Sequence, residues 1–256
     1  MLSEQIIAFK TIVRREVVRF MRIWTQTLLP PVITQSLYFI IFGKFIGSRI
    51  GEVQGVSYMA FIVPGLVMMS VISSSYSNVV SSFFSSKFQR SVEELLVSST
   101  SNWVIMAGYV IGGALRGICV GTLVFFVSIL FTRPVIYHFG IIAFFMMLSA
   151  LLFALAGLIN GIYAQKFDDI SFVPNFILTP LMYLGGVFYS IENLPVFWQN
   201  LSQYNPILYM VNGFRYGFYG FSDVDIRTSA LILVFFVLSL GAFCLYLLKK
   251  GTGLKT

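Results

Sequence analysis

At 256 residues, the chain is 57% hydrophobic and only 11% charged, against about 45–50% and about 25% in a soluble domain. That excess, with 27 Phe residues and a mean hydropathy of +0.86, excludes a soluble enzyme, a disordered tail and a disulfide-stapled secreted domain. The net charge of +7 then reads as the Lys and Arg surplus of cytoplasmic membrane segments, with no nucleic-acid partner implied.

The first 27 residues do not read as a signal peptide, because Lys10, Arg14, Arg15, Arg19 and Arg22 interrupt any apolar run. At 100° per residue, Ile6, Phe9, Ile12, Val13, Val17, Phe20, Ile23 and Trp24 share one face, the cations occupy the other, and Glu16 intrudes on the apolar side. This predicts an amphipathic helix lying in the membrane interface, cations toward anionic lipid and Trp24 near the first span. A plain positive-inside anchor is the simpler alternative.

Six stretches, near 28–46, 57–81, 104–131, 139–163, 170–190 and 229–248, are long and apolar enough to cross a bilayer. The expected fold is therefore an all-α membrane protein with six transmembrane helices. With the N-terminus inside, Lys10, Arg14, Arg15, Arg19, Arg22, Lys87, Arg90, Lys166, Lys249, Lys250 and Lys255 are cytoplasmic. Lys44, Arg49, Arg133, Arg215 and Arg227 are external, and Arg116 alone of the 17 cations falls within a span. That bias predicts both termini in the cytoplasm.

The second span carries Ser70, Ser73, Ser74, Ser75, Ser77, Asn78, Ser81 and Ser82, with a kink expected at Pro64. Serine can return its hydroxyl to its own helix, so packing is the first reading and a polar interior face the second. In the connection that follows, Phe88, Val92, Leu95 and Leu96 share a helical face, while Lys87, Arg90, Glu93 and Glu94 lie around the rest. One short amphipathic helix over 87–97 is predicted, docking a cytoplasmic partner, since its acidic pair is unsuited to anionic lipid. The third span holds Gly108, Gly112, Gly113, Gly117 and Gly121, a groove for close helix contact. Its Arg116 needs a partner or a wet cavity; a point on a translocation path and a packing charge bonded to carbonyls are both open. Asp168-Asp169 reads first as a helix cap and second as a partner contact.

Residues 191–221 are too aromatic for an aqueous loop, yet Pro195 and Asn205-Pro206 cut them into pieces too short to span. Two half-helices dipping from the outer side fit both facts; an aromatic interfacial belt is the alternative. No P-loop, HExxH or GxSxG occurs. Cys119 and Cys244 lie in apolar stretches, His138 is the sole histidine, and neither a disulfide nor a metal site is expected. All ten acids are placed in loops or at span ends. An ion-coupled carrier generally needs one at membrane depth, so the chain borrows its energy or only conducts.

The run Thr179 to Ser190 (TPLMYLGGVFYS), with Leu194-Pro195, Trp198, Asn205-Pro206 through Tyr209, and Gly213 to Gly217 around Arg215, resembles the signature of type-2 ABC transporter permeases. Glu93-Glu94-Leu95-Leu96-Val97 is similar to that family's cytoplasmic loop. The similarity covers essentially the whole chain and is strongest for the YadH-like bacterial inner-membrane permeases. It implies one permease domain over 1–256: a connecting helix in 1–27, spans one to five in 28–190, an external re-entrant hairpin in 191–228, span six in 229–248 and a cytoplasmic tail in 249–256. It implies that 87–97 is a coupling helix for a separate ABC ATPase. Two permeases would pair as a homodimer with two ATPases, which bind the ATP and Mg, and would export a hydrophobic or amphipathic compound across the bacterial inner membrane. The chain itself would bind no cofactor and carry no catalytic residue. An ion-gradient-driven carrier or channel, or a scaffold that only recruits an ATPase, are the other readings.

Overall fold

A computed structural model of the chain describes residues 2–251 and 253, without the side chains of Leu2 and Leu96; Lys255 of the expected tail lies outside this set. The chain opens with α1 (Leu2–Arg22), as its amphipathic pattern predicts, and a break at Ile23 leads into α2 (Trp24–Thr27). Helix continues through α3 (Leu29–Tyr38), a π-helical stretch Phe39–Ile46 and α4 (Gly47–Ile50), making a first candidate span over Trp24–Ile50. Pro30 and Pro31 fall in the first turn of α3, where the missing N–H groups have no intrahelical partner anyway.

A two-residue hairpin follows, β1 (Glu52–Val53) against β2 (Val56–Ser57), antiparallel with Glu52 opposite Ser57. Its turn places Gln54 and Gly55 at φ +50° and +80°, the pair of left-handed residues that a tight hairpin demands. Ser57 caps α5 (Tyr58–Phe88) by accepting a hydrogen bond from the Ala60 N–H at 3.3 Å, and the helix continues through Pro64. A short α6 (Ser91–Val97) precedes α7 (Asn102–Ser128), which Ser101 caps. Then come α8 (Phe139–Tyr163), α9 (Phe167–Val173), a π-helical turn Pro174–Leu178 and α10 (Thr179–Leu184). The aromatic segment that follows forms α11 (Val196–Gln203) and α12 (Pro206–Tyr219), and α13 (Ile226–Lys250) comes after it.

Among the described residues the fold is all-α, apart from the small hairpin, and five helical segments are long and apolar enough to cross a membrane. The expected span at 170–190 differs from what folds there. Helix starts earlier, at Phe167, and stops at Leu184, where Gly185 leaves the helix and Gly186 takes φ +72°. Asp168, Asp169, Asn175 and two prolines keep this segment from matching the other five in length and composition.

Helix α5 is the centre, with 89% of its most apolar window buried inside the protein against 17% for the first span. The reason is the distribution of glycine on its neighbours. A Cβ at Gly113, Gly117 or Gly121 of α7 would run into Val79, Ser75 and Val71 of α5. On α8, a Cβ at Gly157 would lie 2.6 Å from the Tyr76 carbonyl oxygen. Gly108 and Gly112 form a second groove on α7, and it receives Ile12 and Glu16 of α1. The i, i+4 steps on both helices ascend together, so α1 runs alongside the first half of α7, in the same direction. The expected amphipathic helix thus docks on the bundle, buried at Ile12, Glu16 and Phe20 and exposed at Lys10, Arg14 and Arg22.

Gly117→Val should therefore cost about 1–3 kcal/mol by overpacking against Ser75 and the Val71 carbonyl, read as a lowered thermal midpoint of the detergent-solubilised protein. Gly241→Ala is the control, since a Cβ there meets only Leu155 at 4.0 Å; its midpoint should stay near wild type.

Candidate functional site

Three polar constructions stand out, two at the α6 end of the bundle and one at the opposite end. The first centres on Glu16, which is fully buried. Its Oε1 accepts from Ser82 Oγ at 2.6 Å, and its Oε2 accepts from Arg19 Nη2 at 3.1 Å and Asn78 Nδ2 at 3.4 Å. Arg19 also donates to the backbone and side-chain oxygens of Asn78, both at 2.9 Å. Arg15 donates to Glu16 at 3.5 Å and to the Tyr109 hydroxyl, which in turn donates to Ser86 at 3.2 Å. Burial alone would disfavour the charged form of Arg15, but Tyr109 and Glu16 outweigh it and raise its pKa. The residue that interrupts the apolar face of α1 is therefore what fastens α1 to α5 and α7. Asn78 belongs to this clamp, and Arg116 does not join it. Arg116 Nη2 instead donates to the Thr27 carbonyl at 3.2 Å, at the end of α2 and just past the break at Ile23 that separates α1 from the first candidate span. Trp24 is exposed beside that break.

The second construction is the connection from α5 to α7. It corrects the single helix expected over 87–97: Lys87 and Phe88 end α5, Arg90 takes φ +62°, and only Ser91–Val97 forms the short helix. The left-handed residue turns α6 out of the line of α5, so the predicted common face of Phe88 and Val92 does not exist. Val92 is buried against Phe83, Ile105, Tyr109 and Leu248, with Leu95 at the edge of the same cluster. Glu93 and Glu94 are exposed in the first turn of α6. Phe88 is exposed and packs edge-on against Phe167 of α9 at 5.1 Å. The Lys87 ammonium is already engaged, donating to the Ile162 and Ala164 carbonyls at 2.8 and 2.7 Å at the C-terminal end of α8, where a cation complements the helix dipole. Asp169 accepts from the Gln165 and Lys166 N–H groups at 2.8 and 3.0 Å. Those hydrogen bonds hold its pKa below the usual carboxylate value; it caps α9. The side chain of Leu96 lies outside the described residues.

At the opposite end, α11 and α12 have 8 and 14 residues, about 12 and 21 Å of helix; the second is longer than the sequence suggests. Pro195 and Pro206 start them, and Asn205 joins them, accepting from the Ile207 N–H at 3.0 Å while donating to the Leu181 carbonyl at 2.6 Å. Tyr209 donates to the Gln203 carbonyl at 2.7 Å, and Trp198 stays exposed. Arg215, counted as an external loop charge from sequence, is completely buried. It donates to the Gly186 carbonyl at 2.6 Å, lies 4.0 Å over the Phe61 ring, and pairs with Asp223 at 4.0 Å. Asp223 also accepts from Gln54 at 2.8 Å and from the Ile191 N–H at 3.2 Å. One ion pair thus ties the β-hairpin, the turn after α10, α5 and α12 together. Gly213 and Gly217 let α12 lie on Phe145 and Ile142 of α8.

Sequence reading did not assign Glu16, Tyr109, Gln54 and Asp223 to these sites. The only signals were an acid on an apolar helix face and a lone arginine in an aromatic segment, each of which demands a partner that spacing cannot name.

Fold and composition define a polytopic, all-α membrane protein whose charged groups are concentrated at the two ends of its bundle. Residues 7–219 match the family model described as ABC-2 type transporter, and the chain belongs to that family. It is 56% identical over 250 residues to the inner membrane transport permease YadH of Escherichia coli (strain K12), covering 98% of both chains. It is 25% identical over 239 residues to nodulation protein J of Neorhizobium galegae, covering 91% of this chain and 86% of that protein.

Asp223→Ala should leave Arg215 as an unpaired buried charge and cost about 3–5 kcal/mol, and adding Arg215→Met should recover most of that loss; thermal midpoints of the singles and the double complete the cycle. At the other end, Glu16→Ala should cost about 1–3 kcal/mol, because both arginines keep some solvent while Asn78 and Ser82 lose an acceptor. Glu16→Gln, which keeps an acceptor, should fall between it and wild type in the same measurement.

Proposed function

We propose that this chain is the permease subunit of an ATP-driven ABC exporter in the bacterial inner membrane. The observation that carries the reading is the membership of residues 7–219 in the ABC-2 type transporter family, joined to a short helix that offers two exposed acids beside a buried anchor. The high identity to a protein named an inner membrane transport permease supports the location. In this reading six membrane crossings, the last before α13 supplied by the interrupted helix of α9 and α10, leave both termini in the cytoplasm. The pieces α11 and α12 form a re-entrant hairpin on the outer side. Two copies form the dimer, and each engages one ATPase, which holds ATP and Mg; this chain supplies no catalytic group.

The physical route for coupling starts at α6. Val92 sits among Phe83 of α5, Ile105 and Tyr109 of α7 and Leu248 of α13, so a displacement of α6 presses on three membrane helices at once. Close-packed side chains transmit such a push because they cannot compress. Tyr109 passes the displacement on to Arg15 and so to the α1 clamp. Cargo would be hydrophobic or amphipathic, in keeping with the apolar, aromatic character of the spans.

Glu94→Lys with Leu95→Ala tests this assignment. In vesicles holding the permease and its purified ATPase, ATP-driven transport should fall by about tenfold or more, as when a charged and an apolar contact are lost from one interface, with membrane insertion unchanged. Untouched transport would overturn the role of α6. Transport that persists without any ATPase and follows an ion gradient would overturn the exporter itself.

A further inference from the structure

Beside the Glu16 clamp lies an open cavity of about 390 Å³, within the size range of small-molecule sites. Its walls carry Arg15, Arg19 and Arg22 from α1, and Ser85, Ser86 and Ser91 from the last turn of α5 and the start of α6. Among the described residues Glu16 is the one carboxylate bonded to these guanidinium groups, so three positive charges meet one negative. Arg15 and Arg19 each use only Nη2 in the hydrogen bonds described above, and Arg22 makes none among the described residues. The Arg19 Nε is buried without a partner.

Two of the three hydroxyls named are similarly free to donate. The Ser86 hydroxyl accepts from Tyr109, so its own proton remains to be donated, and the Ser85 hydroxyl makes no hydrogen bond among the described residues, whereas Ser91 donates to the Ser86 carbonyl at 3.0 Å. Arginine forks with hydroxyl donors suit the tetrahedral oxygens of a phosphate ester, which accept several charge-assisted hydrogen bonds at once. The surroundings are also apolar on one side. Val18 lines the cavity, and Val18 and Met21 of α1 and Trp24 at the start of α2 are exposed.

We infer that this cavity binds the phosphate ester of an anionic membrane lipid, its headgroup held by Arg15, Arg19, Arg22 and Ser85 and its acyl chains lying along Val18 and Met21. The site is distinct from general attraction of a basic helix to a charged surface. It is a shaped pocket shared by α1, α5 and α6, and its occupant fixes the connecting helix to the element proposed for coupling. The same phosphate chemistry is offered by a soluble phosphate ester, so the source is decided by experiment.

The purified full chain is titrated in detergent micelles with phosphatidylglycerol, with phosphatidylcholine, and separately with glycerol 1-phosphate, reading the thermal midpoint. Phosphatidylglycerol should raise the midpoint where phosphatidylcholine does not, and the double variant Arg22→Gln with Ser85→Ala should weaken that effect by about tenfold, the value of a lost charge-assisted hydrogen bond. Neither residue belongs to the Glu16 clamp, so the lipid-free midpoint of this variant should match wild type; if it does not, Arg22→Gln alone carries the test. A response to phosphatidylglycerol alone identifies a lipid site, and one to glycerol 1-phosphate, lost in the same variant, identifies a phosphate site that needs no acyl chain. Lys10→Gln, on the same helix outside the cavity, should change nothing. Equal effects of the two lipids without a response to glycerol 1-phosphate, or equal weakening by Lys10→Gln, would overturn the site.

Discussion

Apolar helices gain little by burying apolar faces against each other in hydrocarbon, so what orders this bundle is the close approach of α7 and α8 to α5. Gly117 sits over Ser75 and the Val71 carbonyl, and Gly157 over the Tyr76 carbonyl. At those positions no side chain separates the backbones, and dispersion contacts multiply. The serines of α5 fit the same logic. They are small enough to face glycine, and Ser70 and Ser81 return their hydroxyls to carbonyls of their own helix, so these polar side chains fit within an otherwise apolar central helix.

Close approach sets the spacing of the helices, and two charge clusters hold the bundle's ends. Glu16 gathers Arg15, Arg19, Asn78 and Ser82 at one end; Arg215 and Asp223 gather Gly186, Gln54 and Ile191 at the other. Each cluster ties an element outside the central bundle to it: α1 in the first case, α12 and the β-hairpin in the second. A buried charge left without its partner is costly, which makes both junctions discriminating. The peripheral element docks in one register or loses its hydrogen bonds.

The proposed coupling element stands between these constraints. Because Arg90 breaks the helix, α6 is not a straight continuation of α5, and in the proposed coupling it would act as a lever with Val92 as its fulcrum. Its pressure falls on Phe83, Ile105 and Leu248, while Lys87 ties the end of α5 to the last carbonyls of α8. A push at α6 therefore reaches α1, α5, α7 and α13 through contacts that are already packed. The cavity proposed to hold a phosphate ester opens onto this same junction, so an anion there would bear on the proposed lever as well as on the anchorage of α1.

Composition and periodicity alone determined that this is an all-helical membrane protein, that α1 is amphipathic, and that four later spans lie close to where they fold. Those are local consequences of apolar length and the 3.6-residue repeat. The motif residues around Gly185, Asn205 and Gly213 pointed to the outer segment, and the breaks at Pro195 and Asn205-Pro206 were legible as chain-stiffening positions. Tertiary structure alone decided the rest. Glu16 read as a flaw in an apolar face because the donors that complete its site, Asn78 and Ser82, stand 62 and 66 residues away, and Arg215 read as an external cation because the carbonyl that receives it, on Gly186, stands 29 residues away. The glycine ladder of α7 read as one groove, and only packing divided it between α1 and α5. The left-handed Arg90 and the early stop at Leu184 escaped notice for a related reason: each is set by what the chain must reach next, which no window of neighbouring residues contains.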